Sequence, residues 1–251
     1  MLSMSKRRET GASVLGGHVD AAQDIVYRWL KQHVLTLPSQ EGTFLTEAEV
    51  CRGTGTSRTP VREALLRLEA DGLLRIVPKK GAYVPPITEA DIEAVMQARG
   101  LVEEWCSRRA ASFGEMLAAE LDRLIAEQVD LLQDPVAFIE CDREFHRTIV
   151  RAAGNPVLAD FYESLRDRQL RMGVHVMTIS GGRGESVLAE HAAIVEGIRR
   201  GDPEQAAAAV AEHLACTFVA LRMPVAAGWA ARAQVATSGL INRDNGRQRV
   251  T

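Results

Sequence analysis

The chain has 251 residues, 46% of them hydrophobic and 25% charged, enough for one large or two small domains and too balanced for a disordered or fibrous protein. No apolar run approaches the roughly 20 residues of a membrane span, and Met1–Thr10 lacks the apolar core of a signal peptide, so a cytoplasmic protein without membrane contact is expected. The net charge of −3 conceals an asymmetry: residues 1–87 carry 12 Lys+Arg against 9 Asp+Glu, a net +3, leaving 18 against 24, or −6, for the rest, and the basic front suits an anionic partner.

In chain order, residues 1–18 are polar, with Lys6-Arg7-Arg8 and Gly16-Gly17, and read as a flexible arm. Ala22, Ile25, Val26, Trp29, Leu30 and Val34 repeat at three/four spacing and predict a helix from Val19 to about Leu37. Thr46 and Glu49 form the capping box of a short helix that Gly53 and Gly55 end. Ser57 is placed to cap a further helix to about Asp71, with Val61, Ala64, Leu65 and Leu68 on its buried face and Gly72 closing it. Leu73–Val77, the Pro-Lys-Lys-Gly turn at 78–81 and Ala82–Pro85 predict a β-hairpin, and Pro85-Pro86 a domain boundary. After Thr88 the chain reads as helices: one to about Ser112, one over about Met116–Gln133, three begun by Asp134-Pro135, Asn155-Pro156 and Asp202-Pro203, and one from near Ser186 to Arg200. Each Asx-Pro pair sets a capping side chain before a residue with no N–H to satisfy. Residues 224–251 show no buried face and read as a frayed tail. The expected fold is mainly α, a winged helix-turn-helix with a hairpin wing over 19–86 followed by an all-α bundle over 88–223.

With its apolar face inward, the third helix projects Arg58, Thr59 and Arg62 from its first turns, where Arg forms paired hydrogen bonds to guanine or clasps a phosphate. Lys79, Lys80 and Gly81 make the wing tip, Gly allowing close backbone approach and Lys adding salt-sensitive attraction. A helical subdomain with solvated Arg and Lys is the plain alternative. The string Ser57-Arg58-Thr59-Pro60-Val61-Arg62-Glu63-Ala64-Leu65, with Asp71-Gly72-Leu73 and Lys80-Gly81-Ala82-Tyr83-Val84, resembles the GntR superfamily of bacterial transcription regulators over about residues 42–86. The resemblance implies base and phosphate contacts from Arg58 and Arg62, a backbone contact from Thr59, and Gly81 in the minor groove. Ala48 stands where members of the family carry a DNA-contacting Arg, so that contact is missing.

Asp142 and His146, four apart, share a helix face, while His191 and His213 fall on two later helices, a set able to hold Zn²⁺, Ni²⁺ or Mn²⁺ if it converges. Histidines on helices are more often surface or capping groups. Asp142-Arg143-Glu144-Phe145-His146, Gly154-Asn155-Pro156, Glu190-His191 and His213 resemble the FCD effector domain of the FadR-type GntR branch over about residues 90–222. That resemblance implies a divalent metal on Asp142, His146, His191 and His213, a small carboxylate effector with Arg99 as its clasp, and a homodimer on operator DNA. A surface salt bridge is the plain alternative for Arg99.

His18, His33 and His175 are expected to face solvent or cap, Trp105 and Phe145 to be core, and Cys51, Cys106, Cys141 and Cys216, with no Cys-x-x-Cys pair, to be small buried hydrophobes. The function expected is a ligand-responsive DNA-binding regulator, a repressor by preference. A helical metalloenzyme with a nucleic-acid anchor is the second reading, weakened by the lack of His-Glu-x-x-His or a Ser/His/Asp arrangement, and an architectural DNA binder leaves the helical domain unexplained.

Overall fold

In the computed structural model, which describes residues 22–37, 41–179 and 181–222, the first apolar stripe becomes α1 (Ala22–Thr36) and buries Val26, Leu30 and Val34. β1 (Thr43–Leu45) follows, then α2 (Glu47–Thr54), begun by the Thr46/Glu49 capping box and closed by Gly55 at φ 66°. α3 (Arg58–Ala70) buries Val61, Ala64, Leu65 and Leu68, the Val and two Leu side chains each contributing roughly 1.5–3 kcal/mol. Its end is a Schellman turn, with Gly72 at φ 77° and the Leu73 N–H donating to the Leu68 carbonyl at 3.0 Å. Ser57 precedes α3 in extended backbone, but its side chain makes no capping bond.

β2 (Arg75–Val77) and β3 (Gly81–Val84) form the expected hairpin, and β1 adds a strand that the sequence reading lacked. The antiparallel order is β1-β3-β2, with Phe44 opposite Tyr83 and Ile76 opposite Ala82. The head is thus a winged helix-turn-helix with a three-stranded wing.

The remainder is all α: α4 (Glu89–Ala110), a 3₁₀ turn (Ala111–Phe113), α5 (Gly114–Asp130), α6 (Pro135–Ala152), α7 (Pro156–Ser164), α8 (Arg166–Ile179), α9 (Arg183–Arg199) and α10 (Pro203–Leu221). All three Asx-Pro starts cap as expected: Asp134, Asn155 and Asp202 each accept from the N–H groups two and three residues on, at 3.0–3.2 Å. Two boundaries differ from expectation. The segment after Asn155 breaks at Leu165 into α7 and α8, and α9 begins at Arg183 because Gly182, at φ 79°, reverses the chain there. α9 and α10 pack so closely that a Cβ on Gly197 would lie 2.6 Å from the Ala206 nitrogen.

The head does not stand apart from the helical domain. Val26, Leu30 and Val34 share one continuous core with Val136, Phe138, Ile139, Leu170, Val174 and Val187 of the helical domain. Lys31 on α1, 8% exposed, meets Glu140 on α6 at 2.8 Å, and Arg171 on α8 donates to the Pro85 carbonyl. The head is docked on α6 and α8. The arm, residues 19–21, His18 and the tail from 224 lie outside the described residues.

Candidate metal centre and nucleic-acid interface

α6, α9 and α10 bring Asp142, His146, His191 and His213 together, with one potential ligand atom from each lying within 4.8 Å of all the others. The three imidazoles are at most 2% exposed. Phe145, one residue before His146, stacks flat on His191 with ring centroids 4.0 Å apart. It is fully buried, as expected, whereas Trp105 is 40% exposed on the outer face of α4. Cys141 donates to the Leu124 carbonyl at 3.4 Å, away from the cluster, and Cys216 is close to Glu212. Cys106 and Cys141 are buried, and Cys51 and Cys216 only half-buried. Neither His33, stacked on Trp29, nor half-buried His175 belongs to the set.

Each imidazole has its Nδ1 occupied from outside the cluster. His191 Nδ1 is 2.9 Å from Gln128 Oε1, His213 Nδ1 is 2.7 Å from Glu190 Oε2, and His146 Nδ1 is 2.8 Å from Glu103 Oε2, the last at an angle poor for a hydrogen bond. The Nε2 atoms are left to the centre, and those of His146 and His191 are buried without a hydrogen-bond partner. Buried ring nitrogens without partners are costly, and a divalent cation bound by neutral imidazoles and one carboxylate satisfies them, so the residues fit a metal ion. Burial and the neighbouring cations hold His191 well below its usual pKa, and burial lowers that of His213, so both favour the neutral ligand form.

Glu103, Gln128 and Glu190 were not found by sequence reading, although Glu190 adjoins His191. Glu103 is 2% exposed and accepts from Arg99 Nε at 2.6 Å and from the Tyr162 hydroxyl at 2.8 Å. Burial opposes its charge, but Arg99 and His146 outweigh this and hold the carboxyl far below its usual range. Arg99 is therefore a buried ion pair rather than a surface one. Glu190 is gripped by Arg183 at 2.5 and 2.9 Å, and burial notwithstanding its pKa falls to about 2 through His213 and Arg183.

Beside the cluster lies a cavity of about 40 Å³ whose lining includes Arg99, Asp142, Arg143, His146, Arg183 and His213. Three guanidinium groups line it beside Asp142, each anchored by a carboxylate behind it: Arg99 by Glu103, Arg143 by Glu163 and Arg183 by Glu190. Arg143 Nε and Gln169 Nε2 are buried without partners at this cavity.

On the head, Ser57, Arg58, Thr59 and Arg62 are exposed or nearly so along the start of α3. Arg62 Nε donates to Glu47 Oε1 on α2 at 2.7 Å, a pairing that lowers the Glu47 pKa. Lys79 and Lys80 are exposed in the wing turn, Lys79 at φ 64°. Gly81 opens β3 at φ 104°, and a Cβ there would lie 2.4 Å from the Leu45 carbonyl oxygen, so packing against β1 demands glycine at this position.

Two family profiles match the chain, "Bacterial regulatory proteins, gntR family" over residues 22–84 and "FCD domain" over residues 94–215. The HTH-type transcriptional repressor RspR of Escherichia coli K12 is 30% identical over 196 residues, covering 75% of this chain and 84% of that protein. The galactonate operon transcriptional repressor of the same strain is 29% identical, covering 69% and 82%. Among solved structures, E. coli McbR/YncC superposes with a TM-score of 0.62 at 21% identity, covering 81% of this chain and 98% of that one, which supports the fold.

Proposed function

Because the chain belongs to the GntR family of bacterial transcription regulators and carries an FCD domain, we propose that it is a metal-dependent, acid-responsive repressor that binds operator DNA as a homodimer. Its relatives are regulators and not enzymes, so the metalloenzyme reading is set aside. The observation that carries the proposal is the four-residue cluster with orphaned Nε2 atoms at one wall of a cavity lined by the guanidinium donors of Arg99, Arg143 and Arg183. A divalent ion held by Asp142, His146, His191 and His213 supplies a Lewis-acidic seat for a carboxylate oxygen. Around that seat the chain's own groups select an acid: Arg99, its Nε fixed by Glu103, and Arg143 and Gln169, each with a buried donor free, suit the carboxylate and hydroxyl oxygens of a small hydroxy acid or sugar acid. The relative named for a galactonate operon is consistent with that class.

The cavity must change to accept such a ligand. Benzene occupies an engineered cavity of about 150 Å³, and the present space is about 40 Å³. Ile139, Val187 and Met177 line the cavity and also pack in or against the core that docks the head. Widening the cavity therefore displaces the surface on which α1 rests, and a ligand bound better by one head position shifts the population toward it. Arg58, Thr59 and Arg62, with Lys79 and Lys80, are assigned to DNA.

The test is elemental analysis of the purified protein, then a thermal-shift screen of sugar acids, hydroxy acids and dicarboxylates, then titration of a duplex selected from a random pool. A stoichiometric divalent ion, stabilisation by an acid that His191→Ala and Arg99→Ala abolish, and an acid-dependent change in duplex affinity are expected. Protein that neither holds nor takes up a metal sinks the metal site, and stabilisation that persists in both variants sinks the pocket.

A further inference from the structure

Among the described residues four basic side chains are buried: Lys31, Arg99, Arg171 and Arg183. Three of them meet a carboxylate, Lys31 at Glu140, Arg99 at Glu103 and Arg183 at Glu190, at 2.5–2.8 Å. Arg171 has none. It is 7% exposed, one Nη donates to the Pro85 carbonyl oxygen, and its Nε and other Nη are buried without a hydrogen-bond partner. A buried guanidinium with a single neutral acceptor is an uncompensated charge, which folded proteins seldom keep. Burial pushes its pKa down, with only Asp91 opposing.

Arg171 lines a second cavity, of about 170 Å³, between the head and the helical domain. Arg75 on β2 and Arg168 on α8 also line it, and its edge is the linker Pro85-Pro86-Ile87. Asp91 is the one carboxylate in this lining, and its Oδ2 already accepts from the Thr88 backbone N–H at 3.1 Å and hydroxyl at 2.5 Å. Three cations from two parts of the fold thus face one committed anion.

We propose that this cavity is a binding site for a small oxyanion of the phosphate type, held by Arg75, Arg168 and Arg171. The guanidinium fork is matched to such oxygens, and the volume admits an ion of this size. Once bound, the oxyanion ties β2 of the head to α8 across the linker. It is a second ligand site, separate from the cavity beside the histidine cluster, and Met172 lines both. The two sites therefore share a wall, and occupancy of one alters the space available to the other.

The test uses the full chain and inorganic phosphate, titrated against chloride at constant ionic strength, with binding read by calorimetry and thermal unfolding. Saturable binding and a raised Tm are expected in the wild type. Arg75→Gln and Arg168→Gln alter exposed side chains that do not hold the linker carbonyl, and each should weaken phosphate roughly tenfold or more, the value of one charged hydrogen bond. Arg171→Met removes the uncompensated charge and should leave stability independent of phosphate. His191→Ala serves as control, because phosphate captured by a metal would be lost there whereas binding at the linker would persist. Malonate competing with phosphate would place carboxylates on the same three arginines. No saturable binding, an adventitious ion whose affinity ignores both glutamine variants, or loss of binding in His191→Ala overturns the proposal.

Discussion

His191 shows how an imidazole of the cluster is set by a residue remote in sequence: its Nδ1 is held by Gln128, 63 positions earlier, and that of His213 by Glu190, while the Glu103 carboxylate lies 2.8 Å from His146 Nδ1. Such partners fix the tautomer and ring angle, and their loss typically weakens metal binding about 10–100-fold. Gln128→Leu and Glu103→Gln should each do so in competition with a chromophoric chelator, and unchanged affinity in both would show that the contacts do not orient the ligands. Stability follows pH in a defined direction. The folded pKa values of His191 and His213 lie below that of an ordinary histidine, about 6.5, so this contribution is fully present above that pH and is lost as pH falls through the depressed folded values. The urea midpoint of chelator-treated protein should drop between pH 7.5 and pH 5.5, and a flat midpoint would contradict the burial argument. The four members of the cluster were legible because Asp142 and His146 share a helix face and the surrounding motifs resemble a known domain. Gln128 was not, because nothing local marks one glutamine on α5 as facing a histidine on α9.

At the scale of elements, α3, to which the proposal assigns DNA reading, stands on a rigid support, fixed by four buried side chains and a Schellman turn. Arg58→Ala and Arg62→Ala should each cost roughly 1–3 kcal/mol in affinity for the selected duplex, and Lys79→Ala should lower the salt slope by about one. Gel-shift titrations over a salt series check both, and two arginine variants that bind like the wild type would remove α3 from the interface. Glu47 bears on the result: the carboxylate that holds Arg62 in the free protein competes with a base or phosphate for the same guanidinium. Five of the ten described α-helices announced themselves through caps, two by the Thr46/Glu49 and Thr88/Asp91 boxes and three by the Asx-Pro pairs. β1 did not, being three residues long and formed only by pairing with β3, some 40 positions away. The break at Leu165 was equally silent, with neither glycine nor proline to mark it.

For the whole molecule, symmetry and access decide how the parts work together. α4 and α7 pack through Val102, Cys106 and Tyr162 yet turn Leu101, Trp105, Val157 and Phe161 outward, with Leu101 80% and Val157 73% exposed. An apolar face of this kind suits an isologous contact with a second copy, which sets two recognition helices on one operator. Leu101→Glu should convert the proposed dimer to a folded monomer in light scattering and greatly weaken duplex binding; a dimer that persists would place the interface elsewhere. The docking of α1 on α6 and α8 was not visible in the sequence, because a core shared by two parts of a chain has no signature in either alone. The burial of the three imidazoles, at most 2% exposed, carries a kinetic consequence. A chelator cannot reach an ion at such a centre until the helices part, so the rate of metal loss should level off as chelator concentration rises and should track the opening rate of the bundle. Stopped-flow mixing with increasing chelator checks this, and a rate that climbs in proportion without limit would mean open access. With the proposed ion bound, a centre guarded in this way would average over brief swings in metal supply and hold a long memory of its ion.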